Sequence, residues 1–441
     1  MNDERGGITT SSNRLRRPAT RREFLKRSIA VAGAAALPAF VPGRALGLDG
    51  AVAPSRRIVL GAIGIGPRGS HVLGCFLAEP DVQFVAICDV RADRRQSVKA
   101  TADAKYGNKD CAMYRDMFEL LGRTDIDAVL IATGDRWHAP ASILAAKAGK
   151  DIYSEKPCGI TIGLCQALDD TIRRYGRAFQ AGTQRRSVAN FQAAIHLAQS
   201  GKLGKLRAVH ASIYNLRILY DWLPAEPEPP KEVVDWDRWL GPAPWRPYNQ
   251  AYVNGGWRGY YDFDSGATLL DWGAHTVDLC QAANQADQTT PVEYEVDKNH
   301  SGTINARYAN GVQLVMRPGG WIGLGTCPVR FEGEEGWVET GDSGKIEVYP
   351  ASLRSELRVY GRTGGLSAAQ NVRNFLDCVK SGALPFSHSG AMRHSHIACH
   401  AAALAWQLGR KLTFDPAREA FVGDNEANNL RSRAMREPWH V

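Results

Sequence analysis

Three side chains, Lys156, Asp271 and His275, carry the complementary chemistry needed to draw a proton from an alcohol while a hydride leaves its carbon. An ammonium can hydrogen-bond an oxygen and stabilise the negative charge that grows on it. A neutral imidazole takes up a proton close to its ordinary pKa. A carboxylate beside them can fix a neighbouring hydroxyl. Lys156 lies in Glu155-Lys156-Pro157, just past a short apolar strand from Asp151 to Ser154, and Pro157 invites a cis peptide there. Asp271, His275 and Asp278 recur at i, i+4 and i+7 in the run that begins at Gly266, which puts them on one face of a helix, with Asp278 able to orient the imidazole. The same spacing describes an ordinary helix with a satisfied polar stripe, so the elements upstream decide between the two.

Those elements are a strand, a glycine turn and a helix. The apolar run Arg57 to Ile63 flows into Gly64-Ile65-Gly66-Pro67-Arg68-Gly69 and then a helical stretch from Ser70 to Leu77. In that context Gly64 permits a tight turn, Gly66 lets backbone approach a pyrophosphate, and Gly69 lets helix and strand pack closely. The helix N-terminus then faces the phosphates. A lone glycine motif is weak; the acidic residue strengthens it. The next apolar strand, Val82 to Cys88, ends at Asp89, about 20 residues past Gly69, where a carboxylate accepts both ribose hydroxyls of a dinucleotide. Asp89 would repel a 2′-phosphate and favours NAD, but Arg91 and Arg94 follow and leave NADP open. Val90 and Arg91 complete that edge. Thr133, Trp137 and His138, at the carboxyl end of the strand Asp127 to Thr133, are expected to line the same cofactor with Glu155 and Lys156; the competing reading of His138 is a cap on the helix Ala139 to Lys147.

Composition narrows the partners. Residues 1–47 hold nine Lys/Arg and three Asp/Glu, a net +6 of the chain's +8, so the remainder carries only +2 and offers no basic patch for nucleic acid. The leader reads Thr20-Arg21-Arg22-Glu23-Phe24-Leu25-Lys26, then a mildly apolar stretch from Ser28 to Val41, then Ala45-Leu46-Gly47 with small residues for cleavage. This is a twin-arginine signal, implying the Tat export machinery, an extracytoplasmic or periplasmic destination and no permanent membrane span, the apolar stretch being too short. Such export moves folded proteins, which suits an enzyme that acquires its nucleotide before crossing. The nine cysteines form no CxxC or other ligand spacing and read as small buried residues. His388, His394, His396 and His400 lack an acidic or thiol companion at ligand spacing, and no metal is expected.

Past the leader (1–47), residues 48–181 alternate strands and helices, the pattern of an NAD(P)-binding Rossmann domain with a doubly wound parallel sheet. Residues 182–441 change to short strands with alternating residues, including 206–214, 293–297, 303–308, 312–316 and 338–339, so an α+β domain with a large, mostly antiparallel sheet is expected, closed by C-terminal helices. Between strands, residues 214–261 are rich in Pro, Trp and Tyr and read as a long ordered excursion. Its Trp257 is a candidate to stack on a sugar, although packing is the commoner use of such a ring.

The turn from Gly64 to Gly69, Glu155-Lys156-Pro157, Gly182-Thr183-Gln184-Arg185-Arg186 and Asp271-x-x-x-His275 together resemble the glucose-fructose oxidoreductase, inositol dehydrogenase and rhizopine catabolism (Gfo/Idh/MocA) family over nearly all of the mature chain. The resemblance implies an open-faced C-terminal sheet that builds homodimers or homotetramers. The family's catalytic lysine matches Lys156 and its substrate-binding Asp and His match Asp271 and His275; Gln184, Arg186 and Trp257 complete the expected substrate contacts. One departure is Gly134-Asp135-Arg136-Trp137-His138, where members often read Pro-Asn-x-x-His. The expectation is an exported NAD(P)-dependent oxidoreductase with tightly bound nucleotide, acting on a secondary hydroxyl of a sugar, polyol or glycoside. Two alternatives are a glycoside hydrolase working through transient oxidation, elimination, water addition and re-reduction, and a sugar sensor without turnover.

Overall fold

The apolar runs become two sheets. The computed structural model describes residues 52–359 and 367–441, and the twin-arginine stretch with its cleavage site lies outside them. Six strands, β1 (Ile58–Ile63), β2 (Val82–Cys88), β3 (Ala112–Tyr114), β4 (Ala128–Ile131), β5 (Asp151–Ser154) and β6 (Phe179–Ala181), pair in parallel in the order β3-β2-β1-β4-β5-β6. Helices α1 (Pro67–Ala78), α2 (Ala92–Tyr106), α3 (Asp135–Lys147) and α4 (Ile162–Tyr175) cross between them. All four residues of β4 are buried, which is why the strand reads as an unbroken apolar run. Strand order reverses between β1 and β4, so a crevice opens at their carboxyl ends.

The glycine turn behaves as its spacing demands. Gly64 has φ +71°, and a Cβ there would stand 2.3 Å from Thr133 Cγ2. A Cβ on Gly69 would stand 2.8 Å from Ala132 Cβ, so α1 can press against the end of β4 only without a side chain. Pro67 opens α1, earlier than the periodicity indicates, because a missing N–H costs nothing in a first helical turn. Helix α3 likewise starts at Asp135 rather than Ala139: the stretch read as a loop is its first turn, entered from Gly134.

The second sheet has nine strands: β7 (Leu206–Ile213), β8 (Glu293–Val296), β9 (Ile304–Arg307), β10 (Gln313–Pro318), β11 (Val329–Gly333), β12 (Trp337–Thr340), β13 (Ile346–Tyr349), β14 (Leu412–Asp415) and β15 (Ala420–Phe421). Their order is β13-β12-β11-β7-β10-β9-β8-β14-β15, and only β7 and β10 run parallel. The five strands expected from alternation are present; β11, β13, β14 and β15, of two to five residues each, are too short for their period to stand out. Helices α5 (Ala189–Gln199), α6 (Leu270–Ala283), α7 (Ala369–Ser381) and α8 (Ser389–Leu408) follow in this half. Val209, Ile213, Leu314, Met316 and Phe331 turn inward against Phe191 of α5, Leu270 and Val277 of α6 and Ile397 of α8. Helix α7 returns to the first sheet, where Phe375 meets the ring of Phe76 on α1 edge-on at 6.1 Å.

Residues 219–263, the aromatic strap, join β7 to α6. Trp236, Trp239, Tyr252, Tyr260 and Phe263 form a core of their own, with Trp236 and Trp239 stacked at 4.7 Å. The strap is tied across the parallel sheet: Ala92 N donates to Val233 O (2.9 Å), Asp235 N to Val90 O (3.0 Å), and the Arg136 guanidinium sits 3.6 Å from the Trp239 ring centre. Packing, rather than ligand contact, accounts for most of its aromatic residues.

Candidate active site

A cleft of about 670 Å3 runs from the glycine turn, past the carboxyl ends of β1, β4 and β5, to the first turns of α6, with the strap as its roof. At one end Asp89 is buried at the tip of β2. Its carboxylate accepts from Ile65 N and from Arg91 N, both at 2.9 Å, and so fixes the turn while oxygen lone pairs remain for a ribose. Burial raises the Asp89 pKa above the ordinary carboxylate value, and the two amide bonds and nearby Arg94 and Arg91 work against that rise. Arg91 continues across the cleft, donating to Asn254 Oδ1 (3.2 Å) and Val253 O (3.3 Å) of the strap. A Cβ added to Gly66 would meet nothing nearer than Arg94 Nη1 at 3.9 Å, which leaves backbone open beside the helix N-terminus. The turn, the carboxylate and the open backbone fit a dinucleotide. Ile65, Pro67, Arg68, Val90, Thr133 and Glu155 also line this cleft, with Arg68 Nε on Glu155 Oε1 at 3.2 Å.

At the other end the amine, carboxylate and imidazole converge from two domains. Lys156 follows β5, and its peptide with Pro157 is cis. The Lys156 ammonium donates to the backbone carbonyl of Asp271 at 2.7 Å and stands 3.9 Å from Asp271 Oδ1. Arg258 of the strap donates to the same Oδ1 at 3.1 Å, with its guanidinium 4.4 Å from the ring centre of Trp257. One turn along α6, His275 lines the cleft, with Nδ1 buried and unpartnered. Burial drives the His275 pKa well below the ordinary imidazole value, and the cations Arg185, Lys156 and Arg68 push the same way, so the ring is neutral at neutral pH. Asp135 and Asp264 show the opposite displacement: burial, with repulsion from Asp264 and Asp271 in the first case and from Asp271 in the second, raises them to about 8 and about 7.

Several sequence expectations change here. Arg186 does not reach the cleft; it is buried between Asp278 and Asp287, with Nε on Asp278 Oδ2 and Nη2 on Asp287 Oδ1, both at 2.6 Å. Asp278 is spent on that pair, fully buried, and leaves His275 Nδ1 without a partner. Gln184 reaches the cleft wall, but its amide is occupied: it accepts from Arg68 Nη2 at 2.9 Å and donates to the Gly182 carbonyl, which makes it a support for Arg68. His138 lines the cleft, as expected, but lies inside α3 and does not cap it. Its Nδ1 lies 2.8 Å from Pro157 O and its Nε2 3.2 Å from Thr133 O, and the single N–H of the neutral ring donates to one of these two carbonyls. Burial lowers its pKa to about 4. Trp137 donates from Nε1 to Arg238 O at 3.0 Å and anchors the strap with one edge on the cleft.

Sequence reasoning assigned no role to Asp135, Asp264, Arg185 or Arg258. Asp135 stood inside the departing segment and Arg185 beside Gln184 in the Gly182–Arg186 segment, and these were the visible signals; Arg258 and Asp264 come near the site only through long-range packing. The four C-terminal histidines are separate structural groups: His388 caps α8, His394 bonds Gly390 O (2.8 Å), His400 bonds Gly159 O (2.9 Å), and His396 is buried. Among the described residues no group of three or more His, Cys, Asp or Glu side chains is placed to hold a metal ion, and no helix is long and apolar enough to cross a membrane. All nine cysteines are free.

Comparison with known proteins agrees with both halves. A family model described as an oxidoreductase family's NAD-binding Rossmann fold matches residues 58–183, and one described as its C-terminal alpha/beta domain matches residues 197–441. A glycosyl hydrolase family 109 protein of Saccharopolyspora erythraea is 39% identical over 123 residues, covering 27% of this chain and 26% of that protein. An inositol 2-dehydrogenase of Salmonella paratyphi B is 30% identical over 159 residues, covering 35% of this chain and 45% of that enzyme. The chain therefore matches a quarter to under half of the length of these relatives. In fold it is similar to the WlbA dehydrogenase from Bordetella pertussis, solved with NADH and UDP-GlcNAcA, with a TM-score of 0.60 at 17% identity over 82% of this chain and 98% of that one.

The Arg186 cluster yields the first test. Replacing Arg186 with Met strands a buried carboxylate and should cost roughly 3–5 kcal/mol of stability. Thermal melting should fall accordingly while KM of the folded enzyme is unchanged; a raised KM with an unaltered melt would return Arg186 to substrate binding.

Proposed function

The chain belongs to the Gfo/Idh/MocA oxidoreductase family, and on that premise we propose that it is an exported enzyme that oxidises a secondary hydroxyl of a sugar, polyol or glycoside. The observation that carries this reading is the convergence of Lys156, Asp271 and His275 at one end of a cleft whose other end fits a dinucleotide. NAD, bound there, supplies the hydride acceptor. Lys156 holds the reacting oxygen and stabilises its negative charge. His275, neutral and facing the cleft, takes the hydroxyl proton. Asp271, clamped by Arg258 and Lys156, is oriented to receive a second hydroxyl and so sets which carbon reacts. Trp257 stands beside that clamp and offers an apolar face to sugar C–H groups. Asp89 favours NAD; Arg91 and Arg94 keep NADP within reach.

Export rests on the twin-arginine pattern at Arg21-Arg22 and favours retention of nucleotide through the catalytic cycle, because free cofactor is scarce outside the cytoplasm. A second reading follows from retention and from the glycosyl hydrolase family 109 relative: the same groups can carry redox-neutral cleavage of a glycoside. The open sheet of β7 to β13 supports assembly into a homodimer or homotetramer, as the family resemblance implies.

Denaturing purified protein should release NAD or NADP in near-stoichiometric amount, and the intact enzyme should then act on a panel of sugars and aryl glycosides. Phenol release without a net change in nicotinamide absorbance selects the hydrolytic reading; a rising absorbance selects net oxidation. Lys156→Ala should lower kcat by roughly 10²-fold or more with nucleotide content unchanged, and near-normal turnover would remove the lysine from its role. Because the depressed His275 pKa keeps the base deprotonated into acid, the acidic limb of kcat/KM should lie below pH 6.5. A limb at or above that value would point to another base.

A further inference from the structure

Asp135 occupies a position that the oxidation just described leaves unused. It is the first residue of α3, lines the cleft and is 4% exposed, yet no hydrogen bond from the described residues reaches its carboxyl. Every neighbouring element presents a charged group to it: Lys156 from the turn after β5, Asp271 from α6, Arg258 from the strap, Asp264 just past its end, and Arg136 from α3 itself. The nearby carboxylates are engaged, Asp264 accepting from Thr268 N at 2.7 Å and Asp271 from Arg258 at 3.1 Å. The Asp135 carboxyl is thus a buried group without a hydrogen-bond partner among the described residues, on the wall of the cleft that also carries Lys156, Asp271 and His275.

We propose that Asp135 is a further catalytic residue, an O–H donor that shares with Lys156 the substrate oxygen on which negative charge develops. A buried carboxyl without a hydrogen-bonding partner is costly as an anion and inexpensive as a neutral acid. The carboxylates of Asp264 and Asp271 add repulsion, and the Asp135 pKa rises to about 8 in spite of Arg258 and Lys156. At neutral pH its proton stays in place, and the group offers a donor where an ionised aspartate would offer only acceptors. The bond it makes strengthens as the oxygen gains charge, so it favours the transition state over the bound alcohol. Asp135 transfers no proton: the hydroxyl proton passes to His275 and Asp135 keeps its own. The same donor would hold the enolate oxygen if an adjacent C–H bond were broken, which makes it useful to either reading of the reaction. Asparagine, which the resembling family often carries at this position, is a donor that never ionises, and it supplies the diagnostic variant.

This inference rests on the cleft being the site of an alcohol-to-carbonyl reaction, and the test separates the two claims. In the whole enzyme labelled with 13C-carboxyl aspartate, the resonance missing from Asp135→Asn should titrate with a midpoint near 8; a carboxylate already ionised at pH 6 overturns the proposal without any reference to turnover. On a substrate found in the carbohydrate panel, Asp135→Ala should lose roughly 10²-fold in kcat with little change in KM. Asp135→Asn should keep most of kcat and lose the alkaline limb that the wild type shows near pH 8. An asparagine variant as slow as the alanine variant, or one that keeps that limb, also overturns it. If the wild type turns over no carbohydrate at all, the proposed reaction fails, while the carboxyl titration still decides whether Asp135 holds its proton and so whether a donor exists.

Discussion

The hydrogen bond from the Lys156 ammonium to the Asp271 carbonyl is the contact on which the architecture of the site turns. It joins the turn after β5 of the parallel sheet to the first turn of α6 beneath the antiparallel sheet. A long side chain from one domain is thereby fixed against a helix of the other, and two of its three donors remain for a ligand. Arg258 closes on Asp271 from the strap, so the carboxylate is held between cations from two separate elements. Holding these groups in advance lowers the entropy to be lost when a substrate is aligned.

Water exclusion then sets the electrostatics. The burial that neutralises His275 also keeps Asp135 protonated and raises Asp264 to about 7, although one is a base and the others are acids, because a low-dielectric wall penalises whichever form is charged. The cleft at neutral pH consequently presents an uncharged imidazole and the uncharged Asp135 carboxyl beside a lysine and two arginines. Such a mixture suits an alcohol, which must lose a proton to a neutral base and place the remaining charge near fixed donors. The buried Arg185, paired with Asp342 at 2.6 Å, contributes to the field that keeps His275 unprotonated.

The aromatic strap ties these effects to the nucleotide end. Arg91, two residues after Asp89, reaches Val253 and Asn254; Arg136, within α3, lies against Trp239. Both arginines therefore belong to the fastening of the roof as much as to the cleft, and the strap that covers the dinucleotide site also brings Trp257 and Arg258 to the catalytic end. Binding at one end and order at the other share a single packed segment with its own apolar core.

Residue order along the chain determined the parallel sheet, the glycine turn, the acidic tip at Asp89 and the placement of Lys156 at a strand's carboxyl end. Each depends on local period or on steric limits at a few consecutive residues, such as the positive φ of Gly64 and the close approach at Gly69. The pairing of Asp271 with His275 was legible for the same reason, since a helical repeat is local. What lay beyond reach was the partner of each charge. Arg186 and Asp278 carry the residue types of a binding site and end in a buried ion pair with each other, flanked by Asp287; Asp135 and Asp264, far apart in the chain, both come near enough to Asp271 for burial and its charge to raise their pKa values. Only the tertiary structure decided these roles, because hydrogen-bond partners and desolvation are properties of the packed surroundings and not of the segment that carries the side chain.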